Sequence, residues 1–423
     1  MKKFRFIHTS DLHLGTPFKG LSRLNEHASS LLTEATYKAF DKVVSIAIKK
    51  DVEFVLVCGD LVDSEEGNLR AILHLKKGFD RLLEKGIKVF VVHGNHDPLS
   101  FMKEAVSFPE SVVVFPSKSP TWHMFRTKEG IDVAIWGMSF EKKSEKRNLA
   151  RMIPKGPEDA FKIAMLHCCV GSRKDHDPYA PCSLSDLKTD RCQYWALGHI
   201  HKKEVLIQDP FAIYCGNIQG RSFKEQGQRG CYLIEVDEDF NVSPTFLETD
   251  TVRWMEMEID VSGISDVSDL FDKSFAQLEK LHDSLKGVKG RGLIARIGLT
   301  GTCSFYDKLV SEPLEEEIAE ELRAIFQERE PPIFVEAVRN RCRPAIDIES
   351  RKGAGDLSAY VLKEAEGISA DISGLETEDG PLKSLFMNKR FRKFKISFDP
   401  EEKKRMIVEA QYLLLDLLER PGK

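Results

Sequence analysis

No stretch of the 423-residue sequence approaches the about 18 to 20 consecutive apolar residues that a membrane-spanning helix needs, so no transmembrane segment is expected. Cysteine is sparse: nine residues, at 58, 168, 169, 182, 192, 215, 231, 303 and 342, form no close C-x-x-C pair and follow no secretory leader. That scatter excludes a disulfide scaffold and predicts reduced thiols in a cytoplasmic protein. An excess of basic charge is missing too. The 62 Lys and Arg against 67 Asp and Glu leave a net charge of −5, which excludes a generally basic nucleic-acid coat while permitting a local basic channel. There is no G-x-x-x-x-G-K-[ST] phosphate loop, so the chain is not expected to hydrolyse ATP.

What is present is a long chain, 42% hydrophobic, able to bury a sizeable core and to form two or three domains. Its first 250 residues repeat one theme of β-rich apolar run, polar turn and helical stretch. The runs are "FRFIHTS", "EFVLVCGD", "KVFVVHGNHD", "DVAIWGMS", "FKIAMLHCC" and "QYWALGHIH", and "LLTEATYKAFDKVVSIAIKK" and "NLRAILHLKKGFDRLLEKG" are helical in pattern. Strands alternating with helices predict a layered α/β domain with a buried sheet. Most of these runs end in a polar cluster, and strand ends are where α/β proteins keep their sites.

Collected in order, the clusters give Asp11 and His13 in "SDLHLG", Asp60 in "CGDLVD", Asn95, His96 and Asp97 in "GNHD", His167 in "MLHCC", and His199 and His201 in "GHIH". In an extended strand alternate side chains share a face, so Asp11 and His13 are expected to point the same way. Oxygen and imidazole donors without thiolates suit manganese, iron or zinc, and the set is large enough for two ions. Glycines before Asp60, Asn95 and His199 allow sharp turns at the strand ends. A lone D-x-H is commonplace; five such clusters in one domain are not.

This series resembles the calcineurin-like metallophosphoesterases. Within them, "FRFIHTSDLHLGTPFKG" and "YCGNIQGRSFKEQGQRGCYLIEV" resemble the DNA repair exonucleases of the SbcD and YhaO type, over roughly residues 4 to 240. The resemblance implies a layered β-sandwich flanked by helices, with one metal held by Asp11, His13, Asp60 and His201 and another by Asp60, Asn95, His167 and His199. It makes Asp60 the bridging ligand, His96 the proton donor or phosphate-stabilising group, and Asp97 the residue that orients the His96 ring. The activity implied is a dinuclear, manganese-dependent DNA exonuclease, the nuclease subunit of a repair complex with a coiled-coil, SMC-like ATPase. Two alternatives are a metallophosphoesterase acting on small phosphodiesters or phosphoproteins, and a non-catalytic scaffold, against which Asp60, Asn95 and His96 argue.

Candidate backbone-phosphate contacts are Lys19 in "GTPFKG" and Arg221, Lys224 and Arg229 in "GRSFKEQGQRG"; such groups bind without reading sequence, and a solvated loop is the alternative. The expected domains are a nuclease domain over 1–250, an α+β capping domain over 251–348 and a linker over 349–382 with one short helix. A basic segment and partner-binding helix follow over 383–423. Asp399, Pro400 and Glu402 signal that helix's start, and its apolar residues occupy more than one face, so a partner or its own domain must cover it. A homodimer is a further possibility.

Overall fold

The computed structural model describes residues 2–16, 26–63, 69–105, 108–109, 111–173, 177–285, 291–353, 355–370 and 399–419. The chain divides into two compact units, one of Met1–Glu256, His282–Ala295 and Arg323–Glu336, the other of Met257–Leu281, Arg296–Leu322 and Ala337–Lys423. Among the described residues no helix is long and apolar enough to cross a membrane.

The first unit holds two six-stranded sheets. One runs β12-β11-β1-β2-β3-β4, built from β1 (Lys3–Thr9), β2 (Phe54–Cys58), β3 (Lys88–Val92), β4 (Val112–Val114), β11 (Gly230–Asp237) and β12 (Val242–Glu248). The other runs β5-β6-β7-β8-β10-β9, built from β5 (His123–Arg126), β6 (Asp132–Met138), β7 (Phe161–His167), β8 (Tyr194–Gly198), β9 (Glu204–Gln208) and β10 (Phe211–Tyr214). Strands β1 to β4 are mutually parallel, as are β6, β7, β8 and β10.

Strands buried on both faces must be apolar on both, and β2 shows how that divides. Phe54, Leu56 and Cys58 point into the space between the sheets, where they join Phe4, Phe6, Phe161, Ile163, Met165 and Tyr194. Val55 and Val57 point outward into the cluster formed with α1 (Glu26–Lys49) and α2 (Leu69–Leu83). Helix α2 buries Ala71, Ile72, Leu75, Phe79 and Leu82, the spacing of a single apolar stripe. The outer face of the second sheet is covered by Leu149, Ala150 and Ile153 and by Leu187 of a one-turn helix that Ser183 and Asp186 cap reciprocally. The result is the expected layered sandwich with helices outside, and it brings the carboxyl ends of β1, β2, β3, β7 and β8 to one edge.

Beyond the two six-stranded sheets, Val252–Asp260, Gly292–Thr300 and Ile333–Asn340 form a three-stranded sheet, with helices Val267–Leu285 and Leu314–Phe326 in the expected alternation. The one short helix expected in the linker is present, and a second accompanies it. The first is Leu357–Ala370, and the second, Ile348–Lys352, overlaps the linker's start; Lys352 joins them by ion pairs of 2.7 Å to both Glu349 and Glu366. The C-terminal helix, Pro400–Glu419, begins at the predicted cap, where Asp399 and Glu402 exchange hydrogen bonds of 2.8 Å. It packs on Leu357–Ala370, burying Leu415 while Leu413, Leu414, Leu417 and Leu418 stay exposed. The basic residues expected between 383 and 395 lie outside the described residues.

Candidate metal centre

Strand alternation does not align Asp11 with His13, because β1 ends at Thr9. Both lie beyond it in the left-handed region, at φ 50° and 43°, as do Asp60 at 53° and His199 at 94°. Few L-residues adopt that conformation, and it is sustained where surrounding structure fixes it. Here the loops after β1 and β2 are zipped together: the backbone N–H groups of Asp11, His13 and Leu14 donate to the carbonyls of Gly59, Asp60 and Leu61, each at 3.0 Å. Gly59 turns at φ +88°, as expected. Gly94 is needed for space instead, since a Cβ there would lie 2.3 Å from Asp60 Oδ1 and 2.8 Å from His167 Nε2.

Two clusters result. In the first, the ligand-capable atoms of Asp11, His13, Asp60 and His201 all lie within 4.8 Å of one another. His13 Nε2 is 3.2 Å from His201 Nε2 and 3.7 Å from Asp60 Oδ2, and His201 Nε2 is 3.6 Å from Asp11 Oδ1. In the second, His167 Nε2 lies 3.0 Å from Asn95 Oδ1 and 3.3 Å from Asp60 Oδ2, with the His199 ring 5.1 Å from the His167 ring. Asp60 Oδ2 belongs to both. Asp11, His13, Asp60 and His201 thus form a compact group, Asn95 and His167 lie beside Asp60, and His199 joins them through its ring contact with His167; a further grouping of His13, Asp63 and His96 adjoins the first.

The outward nitrogens decide which way the lone pairs face. His167 Nδ1 lies 2.9 Å from the Cys58 carbonyl, His199 Nε2 3.0 Å from the Asp177 carbonyl, His13 Nδ1 3.0 Å from Asp63 Oδ1 and His201 Nδ1 2.7 Å from Glu225 Oε1. A carbonyl or carboxylate only accepts, so each of these nitrogens carries the proton; in His13, His199 and His201 the other ring nitrogen is then free to keep its lone pair, whereas His167 Nε2 also faces the acceptors Asn95 Oδ1 and Asp60 Oδ2 and would have to give up a proton to bind an ion. In His13 and His201 those lone pairs face each other across 3.2 Å. Neither can donate to the other, and a cation between them is what such an arrangement accommodates. The donor set, carboxylate oxygen, amide oxygen and neutral imidazole, fits a pair of hard to borderline divalent ions.

The electrostatics separate His167 from the other rings. Burial and the Arg221 charge lower the pKa of His13, and burial with neighbouring His167 lowers that of His199 to about 4, so both rings stay neutral. Burial disfavours charge on Asp60, yet His167 and His13 hold its carboxyl well below the usual range. Burial likewise opposes a charge on His167, but Asp60 outweighs it and raises the ring to about 9. Asp60 and His167 therefore stabilise each other as a charged pair where the clusters meet.

His96 stands apart: its side chain is 39% exposed and its Nδ1 lies 2.6 Å from Asp63 Oδ1. The expectation that Asp97 orients this ring is incorrect. Asp97 is fully buried and accepts from the backbone N–H groups of Asp60, Leu61 and Gly94 at 3.1, 2.9 and 2.9 Å and contacts the His93 ring. It locks the β2 and β3 loops together, while Asp63, also bonded by the Thr16 hydroxyl, serves His96 and His13 at once. Burial pulls the His96 pKa down, but Asp63 and Asp60 raise it on balance.

The proposed DNA contacts divide. Arg229 is buried, its guanidinium committed to the carbonyls of His201 and Gln226 and to Asn217, so it holds the loop and faces no solvent phosphate. Arg221 is half-buried against Glu225 and His201, Lys224 is exposed, and Lys19 lies outside the described residues. Asp63 and Glu225 were missed from sequence, although Asp63 follows Asp60 by three positions in "CGDLVD" and Glu225 lies inside the quoted loop.

The family model for calcineurin-like phosphoesterase matches residues 4–203, and that for the middle domain of metallophosphoesterase YhaO matches residues 254–343. The uncharacterized metallophosphoesterase YhaO of Bacillus subtilis is 33% identical over 97% of this chain and 96% of its own. The DNA double-strand break repair protein Mre11 of Sulfurisphaera tokodaii is 27% identical over 49% of this chain and 52% of its own. A solved dimetal phosphatase from Danio rerio aligns with 57% of this chain and 98% of its own at 14% identity, with a TM-score of 0.35. With a compact cluster of Asp11, His13, Asp60 and His201 and full-length similarity to a metallophosphoesterase, the chain belongs to the calcineurin-like metallophosphoesterases, a family of dinuclear-metal phosphoesterases.

Proposed function

We propose that this metallophosphoesterase is a DNA exonuclease, hydrolysing phosphodiester bonds as the nuclease subunit of a repair complex with a coiled-coil ATPase. The observation that carries the hydrolytic part is the four-histidine arrangement, each ring tied outward and turned inward around Asp60. Asp11, His13, Asp60 and His201 would hold one ion and Asp60, Asn95, His167 and His199 the other, with manganese the proposed metal. Ions so held supply Lewis-acid activation of water and phosphate.

Asp60 presents one oxygen to both clusters, and its other oxygen accepts the His96 backbone N–H at 2.9 Å, which fixes the "GNHD" loop beside the site. His96 is the proposed proton donor to the leaving alkoxide. Asp63 occupies its Nδ1, so Nε2 is the nitrogen left for substrate. Arg221 and Lys224 are the proposed phosphate contacts among the described residues, and the α+β region over 251–348 is proposed to help grip the duplex. DNA as substrate is supported by similarity to a protein named for DNA double-strand break repair. The ATPase partner is supported by the exposed leucines of the C-terminal helix, which a partner helix would cover.

The test is end-labelled duplex DNA incubated with manganese and with a chelator control, beside a chromogenic phosphodiester. Chelator-sensitive loss of label from the ends is expected. Cleavage of the ester with intact DNA under several metals would replace this reading with that of a small-phosphodiester enzyme.

A further inference from the structure

Glu225 lies in the loop between β10 and β11, distant in sequence from every strand-end cluster except "GHIH". Its carboxylate accepts five hydrogen bonds: Oε1 from His201 Nδ1 at 2.7 Å and Arg221 Nη2 at 3.0 Å, Oε2 from Asn217 Nδ2 at 2.9 Å, the Arg221 backbone N–H at 2.8 Å and Arg221 Nε at 3.4 Å. The side chain is 13% exposed, and the Arg221 guanidinium offsets the cost of burying it. Arg221 Nη2 also comes within 3.1 Å of His201 Nδ1, but that nitrogen already carries a proton directed at Glu225, so the guanidinium packs there without replacing the carboxylate.

His201 needs such a partner more than its neighbours do. Its side chain is 21% exposed against 1% for His13, so solvent reaches it and can serve either ring nitrogen. Only with Nδ1 protonated does Nε2 turn a lone pair toward His13 and Asp11. Glu225 is the group that enforces this state.

We infer that Glu225 is a positioning residue for the ion of the Asp11, His13, Asp60 and His201 cluster, fixing the His201 tautomer and coupling that ion to the loop that carries Arg221. The inference rests on reading this cluster as an ion site. Losing such a carboxylate partner typically weakens metal binding by about 10- to 100-fold. The effect is expected at this ion, because Glu225 bonds His201, which belongs to that cluster.

The experiment uses the full chain with Glu225→Ala and the isosteric Glu225→Gln. Manganese titration followed by the free-ion resonance gives the two affinities, and long-range ¹H–¹⁵N correlation of the imidazoles gives the tautomers. In Glu225→Ala one manganese affinity should fall about 10- to 100-fold with the other unchanged, and His201 should lose its pure Nδ1–H signature. Glu225→Gln, which keeps an acceptor, should fall between. If Glu225→Ala fails to fold, the Gln variant decides. Unchanged affinities and an unchanged His201 tautomer would overturn the inference. If wild type binds no manganese while the tautomer still depends on Glu225, the reading of the metal site fails and the positioning of His201 stands.

Discussion

His96 and His13 share Asp63 yet should respond differently to removal. His96→Ala leaves every proposed ligand in place, so metal content should stay near wild type while turnover falls roughly 10²- to 10⁴-fold on loss of a positioned proton donor. His13→Ala should weaken one ion and be partly rescued by excess manganese, as elemental analysis beside nuclease rates would show. Metal loss from the His96 variant would mean that this residue is misassigned. Asp97 acts elsewhere: Asp97→Ala strands three buried backbone N–H groups and should cost on the order of 3 kcal/mol in urea unfolding. His8, buried in the sandwich beside the Asp11 loop, gives a pH test of stability. Burial in the sandwich lowers its pKa from 6.5 to about 3, so between those values the unfolded chain binds a proton that the folded chain refuses. Stability therefore falls as pH falls through that window, by about 1.4 kcal/mol per pH unit, and His8→Gln should flatten the slope by that amount.

At the scale of elements, Gly94→Ala tests the close approach of the β3 loop to Asp60 and His167. Its Cβ has no room, so the variant should lose activity and bound metal together while the sandwich still folds, as circular dichroism would show. The strands and helices of the sandwich were legible in the sequence because runs such as "EFVLVCGD" are apolar on both faces and end in motif residues. The ligands were legible because their types and order are distinctive. What pattern could not supply was the direction of side chains past the strand ends. Strand alternation was the wrong reason for pairing Asp11 with His13, which meet through left-handed turns. Adjacency suggested Asp97 for His96, whereas the fold brings Asp63 from another loop and turns Asp97 toward the backbone. Composition pointed to the helix of 357–370 but not to the short one at 348–352, which Lys352 ties to it by an ion pair with Glu366. Truncation after Ser397 should abolish binding to a coiled-coil partner in a pull-down while leaving the isolated nuclease active.

For the whole molecule, everything depends on the two clusters being one site. The β2 strand end contributes Asp60 to both, the loops from β1 and β8 complete one cluster, and those from β3, β7 and β8 complete the other. The seven side chains come from five strand ends, so no local segment can bind the pair of ions by itself. The direct measurement is manganese per chain by elemental analysis after dialysis of wild type and Asp60→Ala. Two equivalents in wild type and near-complete loss of both in the variant are expected, because the shared anion compensates both cations. One equivalent in wild type, or two retained without Asp60, would contradict a centre bridged by this carboxylate.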